Sequence, residues 1–216
     1  MIILDLETIA VDGVATEPVF APANYKDPEK IAAYIADAEK AQREKAAIYP
    51  WTARVIALGY CSAGDELPTV KVVNSEAAEA AMLRDFWGRV ADARTGAVTP
   101  LITYNGLGFD LPVLMARSRL LGVSAPDLNL DRYRSPHPDV MQILTFRGAI
   151  PARSLTWFAK RFGLPTDDAF SGKEIAGLYE DQNWDAIKKH CESDVMLTRL
   201  LAERIGLIKP ARRVVE

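Results

Sequence analysis

The chain begins with an apolar segment, Met1 to Thr8, that two acidic residues interrupt at alternate positions. This pattern predicts a β-strand in which Asp5 and Glu7 project from one face, while Leu4 and Leu6 belong to a core. Two carboxylates on one face repel each other unless a metal ion or water lies between them. On this segment alone, a metal site and two ordinary acids at a strand end are equally good interpretations.

Apolar residues recur at helical spacing from Pro28 to about Ile48, with charged residues opposite them. The pattern predicts a one-sided helix, for which packing on the sheet is favoured over covering a substrate groove or contacting a partner. Two apolar segments, 54–61 and 69–73, follow on either side of a Gly64-Asp65 turn and predict an antiparallel hairpin.

Helices and strands alternate after residue 74. The predicted elements are a helix at 75–91, a strand at 101–104, a helix at 109–121, a short element at 139–144, and helices at 155–162, 172–179 and 184–205. An irregular connection is expected at 11–24 and a frayed tail from Lys209. We therefore expect an α/β fold, with helices on both faces of a mixed sheet.

Composition narrows the class of protein. The 216 residues and the hydrophobic content of 49% fit one globular domain, 1–216, in which the helix at about 28–48 is an insertion. The net charge of −3 excludes a protein that holds nucleic acid by overall charge alone. The chain has no apolar run of transmembrane length, and its acidic strand begins too early for a secretory signal, so we expect a cytoplasmic protein. Cys61 and Cys191 are expected to be buried free thiols.

Two later acids lie where a metal site could use them. Asp110 falls in the first turn of a predicted helix, and Asp194 falls in the last predicted helix, four residues after His190. Taken alone, Asp110 is better explained by the helix dipole, and Asp194 by a solvated helix face. Together with Asp5 and Glu7, however, they form a set of hard oxygen ligands that suits Mg²⁺ or Mn²⁺ better than zinc.

In order and spacing, these residues resemble the three motifs of the DEDD 3′-to-5′ exonucleases. The motifs are Asp5-x-Glu7, Asn105-x4-Asp110 and His190-x3-Asp194. The resemblance implies a ribonuclease-H-like fold with a central mixed five-stranded sheet flanked by helices. It extends from Met1 to about Leu201.

A narrower resemblance is to the predicted exonucleases related to the proofreading domain of family B DNA polymerases. It is carried by His137-x-Asp139-Val140-Met141, Ser171-Gly172-Lys173-Glu174-Ile175 and Cys191-Glu192-Ser193-Asp194-Val195. The resemblance implies catalysis with two divalent ions, Mg²⁺ or Mn²⁺. Asp5 would bridge both ions, and Glu7, Asp110 and Asp194 would complete their ligand shells. One ion would activate the attacking water and the other would stabilise the leaving 3′ oxygen.

One residue departs from the family pattern. These families have either a tyrosine four residues before the last aspartate or a histidine five residues before it. Here His190 stands at the tyrosine position, and Lys189 stands where the histidine would be. A neutral imidazole can accept a proton from water, whereas a phenol mainly orients it. We predict that His190 is the general base; the alternative is a helix-face histidine hydrogen-bonded to Asp194.

The predicted nucleic-acid contacts are Thr8, Asn105, Phe109 and Lys173. For Asn105 the alternative is capping of the next helix, and for Phe109 it is core packing. Basic residues are scattered over the second half of the chain: Arg132, Arg134, Arg147, Arg153, Lys160, Arg161, Lys173, Lys188 and Lys189. Most are expected to be solvated, but some should line a groove for a single strand, because an acidic site needs compensating charge to hold phosphates.

The favoured function is hydrolysis of single-stranded DNA from its 3′ end, in proofreading or repair, with a DNA polymerase or replication protein as a candidate partner. An exoribonuclease is the nearest alternative, because metal ions contact phosphate and do not select the sugar. A non-catalytic nucleic-acid-binding module of the same fold is a third hypothesis. The presence of all four acids argues against it.

Overall fold

The computed structural model describes residues 1–11, 18–92, 94–166 and 171–210. Within these ranges the chain forms four strands and seven α-helices, and Gly172–Glu174 forms a single 3-10 turn. In chain order the elements are β1 (Ile2–Ala10), α1 (Pro28–Ile48), β2 (Ala53–Ser62), β3 (Thr69–Val72), α2 (Glu76–Val90), β4 (Leu101–Ile102), α3 (Asp110–Leu120), α4 (Val140–Leu144), α5 (Leu155–Arg161), α6 (Ile175–Glu180) and α7 (Trp184–Arg204). The connection predicted at 11–24 and the frayed tail predicted from Lys209 lie partly outside the described residues.

The strands form one mixed sheet in the order β3-β2-β1-β4. β1 pairs antiparallel with β2, which pairs antiparallel with β3, so the predicted hairpin is confirmed. β4 pairs with β1 in parallel through Ile2 and Ile3. The α/β class with a mixed sheet and flanking helices is therefore as predicted.

The predicted fifth strand is absent from the described residues. Beside β4 the chain makes only an isolated parallel bridge between Thr103 and Asp139. Asp139 then ends the extended segment, because its carboxylate accepts the N–H of Gln142 and caps α4. A helix begins where a further strand would have continued.

Both faces of the sheet are covered by apolar packing. Leu4 and Leu6 of β1 belong to a buried cluster with residues of α2 and α3. Ile3 belongs to a second cluster with α5 and α7, on the opposite face. Among the described residues no helix is long and apolar enough to cross a lipid bilayer.

Helix α7 packs unusually close to β2 at Gly59. A Cβ atom at this position would lie 2.8 Å from Cys191 Sγ and 2.9 Å from Val195 Cγ2. Gly59 is paired with Asp5 of β1 in the antiparallel register. Paired residues face the same side of a sheet, so this contact brings α7 over the acid-bearing face of β1.

Helix α1 has the predicted bounds and lies against β1 and β2 of the sheet, as favoured. None of its side chains is buried. Its C-terminal end is held to β1 and to the start of β2 by hydroxyl groups, because Thr8 Oγ1 donates to the carbonyl of Ala47 (2.6 Å) and Thr52 Oγ1 donates to that of Ala46 (2.8 Å). The expected apolar stripe is too rich in alanine and too interrupted by charge to be buried. Its C-terminal half instead forms one wall of a groove.

Gly59→Ala should destabilise the protein by about 1–3 kcal/mol, because the new methyl group forces α7 away from the sheet. Thermal unfolding measures the loss. Gly88→Ala, in α2, is the matched control: a Cβ there meets nothing within 4 Å, and alanine in an exposed helix position should add about 0.5–1 kcal/mol. Equal stability of Gly59→Ala and the wild type would contradict the close packing.

Candidate metal centre and substrate groove

The acid-bearing face of β1 is otherwise apolar. Ile3 and Ile9 flank Asp5 and Glu7 at the same alternating positions and are buried. Glu7 is itself buried and Asp5 is half-buried. The two carboxylates therefore interrupt a hydrophobic surface rather than extend into bulk water.

Asp110 reaches the same place from the start of α3. It is only 2% exposed, and its carboxylate accepts the backbone N–H of Leu6. Strand β4 ends at Ile102, so β1 has no ladder partner for Leu6 on that side within the described residues. Burial raises the pKa of Asp110 to about 7, and the charges of Asp139 and Asp194 add to the effect.

Helix α7 brings the remaining predicted groups. His190 is buried, with Nε2 3.5 Å from Glu7 Oε1 and 4.0 Å from Asp194 Oδ2. Lys189 is exposed, so the position at which the family resemblance would place a histidine faces away from the acids. Ligand atoms of Glu7, His190 and Asp194 all lie within 4.8 Å of one another, close enough to share a metal ion.

Asp5 lies at the centre of the negative charge. Its pKa is raised well above the ordinary value, first by burial and then by the charges of Asp194, Glu7 and Asp110. The four acids predicted from the sequence thus converge within electrostatic reach of one another. An arrangement of this kind favours a bound cation, which would relieve the repulsion.

Cys191 lies beside this cluster. The structure confirms it as a buried free thiol, and Sγ lies 3.8 Å from the backbone oxygen of Asp5. Burial and the nearby charge of Asp5 raise the pKa of this thiol well above its ordinary value. Ligand atoms of Asp5, Glu7 and Cys191 lie within 4.8 Å of one another, but hard cations such as Mg²⁺ and Mn²⁺ prefer the carboxylate oxygens to a sulfur ligand.

Asp5, Glu7 and Asp194 line a large groove with a volume of ≈ 2100 Å³. This exceeds the roughly 300–1,000 Å³ typical of small-molecule sites and suits an extended ligand. All four predicted nucleic-acid contacts line the groove: Thr8, Asn105, Phe109 and Lys173. Thr8 already uses its hydroxyl to hold α1, and Phe109 also packs against the core.

Asn105 does not cap α3. The residue before α3 is Phe109, and no side chain there makes a capping hydrogen bond. Asn105 instead turns the chain between β4 and α3 with a positive φ of 66°, which asparagine tolerates better than most residues. Its side chain is therefore left beside the groove.

Asp139, which lies in one of the motifs of the family resemblance, has a structural role beside the site that was not predicted. Its carboxylate accepts the N–H groups of Asn105 (3.0 Å) and Leu107 (3.1 Å) as well as that of Gln142. Burial raises its pKa. Asp139 thus fixes the turn that delivers Asp110, and only its spacing in the motif could have signalled this.

Comparison with known proteins agrees with this geometry. Residues 50–211 match the model of a family described as predicted 3′-5′ exonucleases related to the exonuclease domain of PolB. The chain belongs to this family. The match begins after β1 and α1, so Asp5 and Glu7 lie outside the matched residues.

A family B DNA polymerase from the hyperthermophilic archaeon Pyrobaculum calidifontis has a similar structure, with a TM-score of 0.55 and 16% sequence identity. The likeness covers 94% of this chain and 24% of the polymerase, so the chain spans about a quarter of that protein's length. At this identity the likeness shows a shared fold. No curated protein matches the sequence.

Asp5→Asn should stabilise the metal-free protein. Folding raises the pKa of Asp110 to about 7 and that of Asp5 well above its ordinary value, so the cost of ionising them is absent below about pH 4 and grows as the pH rises through the folded-state pKa values. Without metal, the variant should therefore unfold at a higher temperature than the wild type at pH 8, and at the same temperature near pH 4. Thermal unfolding in EDTA measures the difference.

Adding Mn²⁺ should reverse the order, because the wild type gains a bound cation that the variant holds weakly. Asp92→Asn is the control. The pKa of this exposed carboxyl is lowered by the N–H groups of Thr95 and Arg94, so the substitution should neither stabilise the protein nor change its response to Mn²⁺. A destabilised Asp5→Asn variant in EDTA would contradict the repulsion.

Proposed function

We propose that this protein is a metal-dependent 3′-to-5′ exonuclease of the DEDD type, with a ribonuclease-H-like fold, acting on single-stranded DNA. The observation that supports it best is the convergence of Asp5, Glu7, Asp110 and Asp194 within electrostatic reach of one another, beside a groove that all of them except Asp110 line. The family match, which describes predicted 3′-5′ exonucleases, supports the reaction and its direction.

The donor set fits divalent metal ions. The charges of Glu7, Asp110 and Asp194 raise the pKa of Asp5, and that of Asp194 raises the pKa of Asp110, so a bound cation offsets a cost of folding. Carboxylate oxygens suit Mg²⁺ or Mn²⁺. Asp5, Glu7, Asp110 and Asp194 would hold two ions. Such ions, when bound, supply charge neutralisation and Lewis acidity at the reacting phosphate.

His190 would accept the proton of the attacking water. Its Nε2 faces Glu7 and Asp194, so the proton acceptor lies beside acids that would hold the ions. The water oxygen bonds to phosphorus while the bond from phosphorus to the 3′ oxygen breaks. The products are a nucleoside 5′-monophosphate and a strand one nucleotide shorter, whose 3′ oxygen takes up a proton from solvent.

The groove and its lining suit a single strand. Asn105, Phe109 and Lys173 offer a polar, an aromatic and a basic contact along it. A proofreading role beside a DNA polymerase is consistent with the similar polymerase fold. Trimming of RNA uses the same chemistry and differs only in how the 2′-hydroxyl is accommodated.

Purified protein should shorten 5′-labelled single-stranded DNA from its 3′ end in Mg²⁺ or Mn²⁺, and EDTA should abolish the ladder of products. Asp5→Asn should lower the rate by at least about 10²-fold, because several kcal/mol of charge stabilisation is lost with the metal. Asp92→Asn should retain activity. RNA of the same sequence, assayed in parallel, reports the sugar preference. The absence of a product ladder with either metal would contradict the exonuclease assignment. A product ladder that Asp5→Asn leaves unchanged would contradict it as well.

His190→Ala should lower the single-turnover rate by about 10²–10⁴-fold, the usual contribution of a general base. Its affinity for Mn²⁺, measured by titration, should stay near that of the wild type. His190→Gln keeps a hydrogen-bonding side chain but cannot take up the proton, so its rate should fall equally. A large loss of Mn²⁺ affinity in both variants would instead make His190 a ligand, and an unchanged rate would exclude it from the reaction.

A further inference from the structure

A second surface of distinctive chemistry lies between residues 131 and 161. We call it the basic aromatic surface and define it by Tyr133, Phe146, Arg147, Arg153 and Trp157. Except for Arg153, these residues do not line the groove. None of them is a metal-site acid, and only Arg147 and Arg153 were among the basic residues considered as contacts for a single strand.

The charge of this segment is opposite to that of the chain. Residues 131–161 contain six basic and two acidic residues, in a protein whose net charge is −3. Of the two acids, Asp139 is buried. The other, Asp131, accepts the N–H groups of Tyr133 and Arg134. The exposed charge is therefore almost entirely positive.

The same segment also carries large, exposed aromatic side chains. Phe146 is 71% exposed, Tyr133 67% and Trp157 45%. Ile143 and Ile150 are also exposed in the same segment. Aromatic faces left in water beside cationic groups are the contacts that proteins offer to single-stranded nucleic acids, where bases stack and phosphates pair.

Each arginine of this surface is already held against an aromatic ring. The Arg147 guanidinium lies 5.3 Å from the centre of the Tyr133 ring, and that of Arg153 lies 5.9 Å from the centre of the Trp157 ring. Arg132 donates to the backbone carbonyl of Arg147 (3.2 Å). The charged groups are therefore ordered before any ligand arrives, which lowers the entropic cost of binding.

The turn that carries Phe146 and Arg147 has an unusual backbone. Both residues have positive φ, 51° and 59°, and Gly148 follows at 88°. Phenylalanine and arginine are disfavoured there relative to glycine or asparagine. Stability alone would not select two large exposed side chains at these positions, whereas presentation of a ring and a charge to a ligand would.

The surface continues from the groove. Arg153 and Met141 line the groove, and Tyr104 Oη donates to the backbone carbonyl of Arg153 (2.5 Å). Thr145, whose hydroxyl donates to the carbonyl of Met141, leads directly into Phe146. A strand whose 3′ end lies at the acids can pass Arg153 and Trp157 when it leaves the groove.

We propose that the basic aromatic surface binds the part of a single-stranded nucleic acid that lies 5′ of the terminal nucleotide. Bases stack on Trp157, Phe146 and Tyr133, and phosphates pair with Arg153 and Arg147. The direction of the strand rests on the proposed exonuclease function, whereas the binding itself does not.

The test is fluorescence anisotropy with oligo-dT in EDTA, so that nothing is cleaved. Trp157→Ala should weaken binding of a strand of about 16 nucleotides by about 5-fold to 100-fold, and that of a strand of about 4 nucleotides by less than about 2-fold. Arg147→Gln and Arg153→Gln should each lower the slope of log affinity against log salt by about 0.7. Trp157→Phe, which keeps a stacking ring, should recover most of the affinity.

Two controls match these variants. Trp51 is similarly exposed (51%) and does not line the groove, so Trp51→Ala should bind as the wild type does. Arg84→Gln, in α2 on the other side of the sheet, should leave the salt slope unchanged. Unfolding curves confirm that each variant is folded.

Equal affinity and equal salt slope in all surface variants would overturn the proposal and assign the surface to a protein or membrane partner. If the wild type cleaves DNA and the surface variants bind normally, only this inference fails. If the wild type binds through the surface and never cleaves, only the exonuclease function fails.

Discussion

The site depends on one close contact, that of α7 with β2 at Gly59. Because Gly59 has no side chain, Cys191 and Val195 rest almost on the strand, and the helix lies nearer the sheet than any larger residue would allow. His190 and Asp194 each precede one of these packed residues by one position, so the same apolar contact sets their distance from Glu7 and Asp5. Hydrophobic packing therefore sets the geometry of the groove, and this packing does not depend on whether the acids are ionised.

The rigidity of this packing matters because the carboxylates repel one another when folding brings them together. Burial and mutual repulsion raise the pKa values of Asp5 and Asp110, so their ionised forms cost folding free energy. The rest of the fold must offset this cost with contacts that do not depend on a cation. Asp139 shows one means: three backbone N–H groups donate to its carboxylate and hold the turn before Asp110 in place. The contacts that position the acids therefore do not depend on a cation.

The sequence predicted what depends on local periodicity and spacing. The alternation of β1 placed Asp5 and Glu7 on one face, and the bounds of α1 follow from Asp27, whose side chain accepts the N–H of Glu29, and from Pro28 in the first turn. The fifth strand was implied only by the family resemblance, whereas the residues themselves predicted four strands and a short element at 139–144, where Asp139 caps α4. Helix α1 lies against the sheet as expected, but none of its side chains is buried. Helical spacing of apolar residues shows which side of a helix is less polar, and burial also requires a facing surface, which only the tertiary fold supplies.

The basic residues also show that the sequence does not predict where the tertiary fold places a side chain. Net charge argued against binding of nucleic acid by overall charge, and the arginines between 131 and 161 looked like scattered solvated groups. Folding pairs two of them with aromatic rings and places one at the groove. The proposed function requires binding of both metal cations and a polyanion, so the sum of charges says little, because the two requirements call for opposite potentials a short distance apart. Separation of acids at the end of β1 from arginines around α4 and α5 meets both requirements, and a net charge near zero is the expected result of that separation.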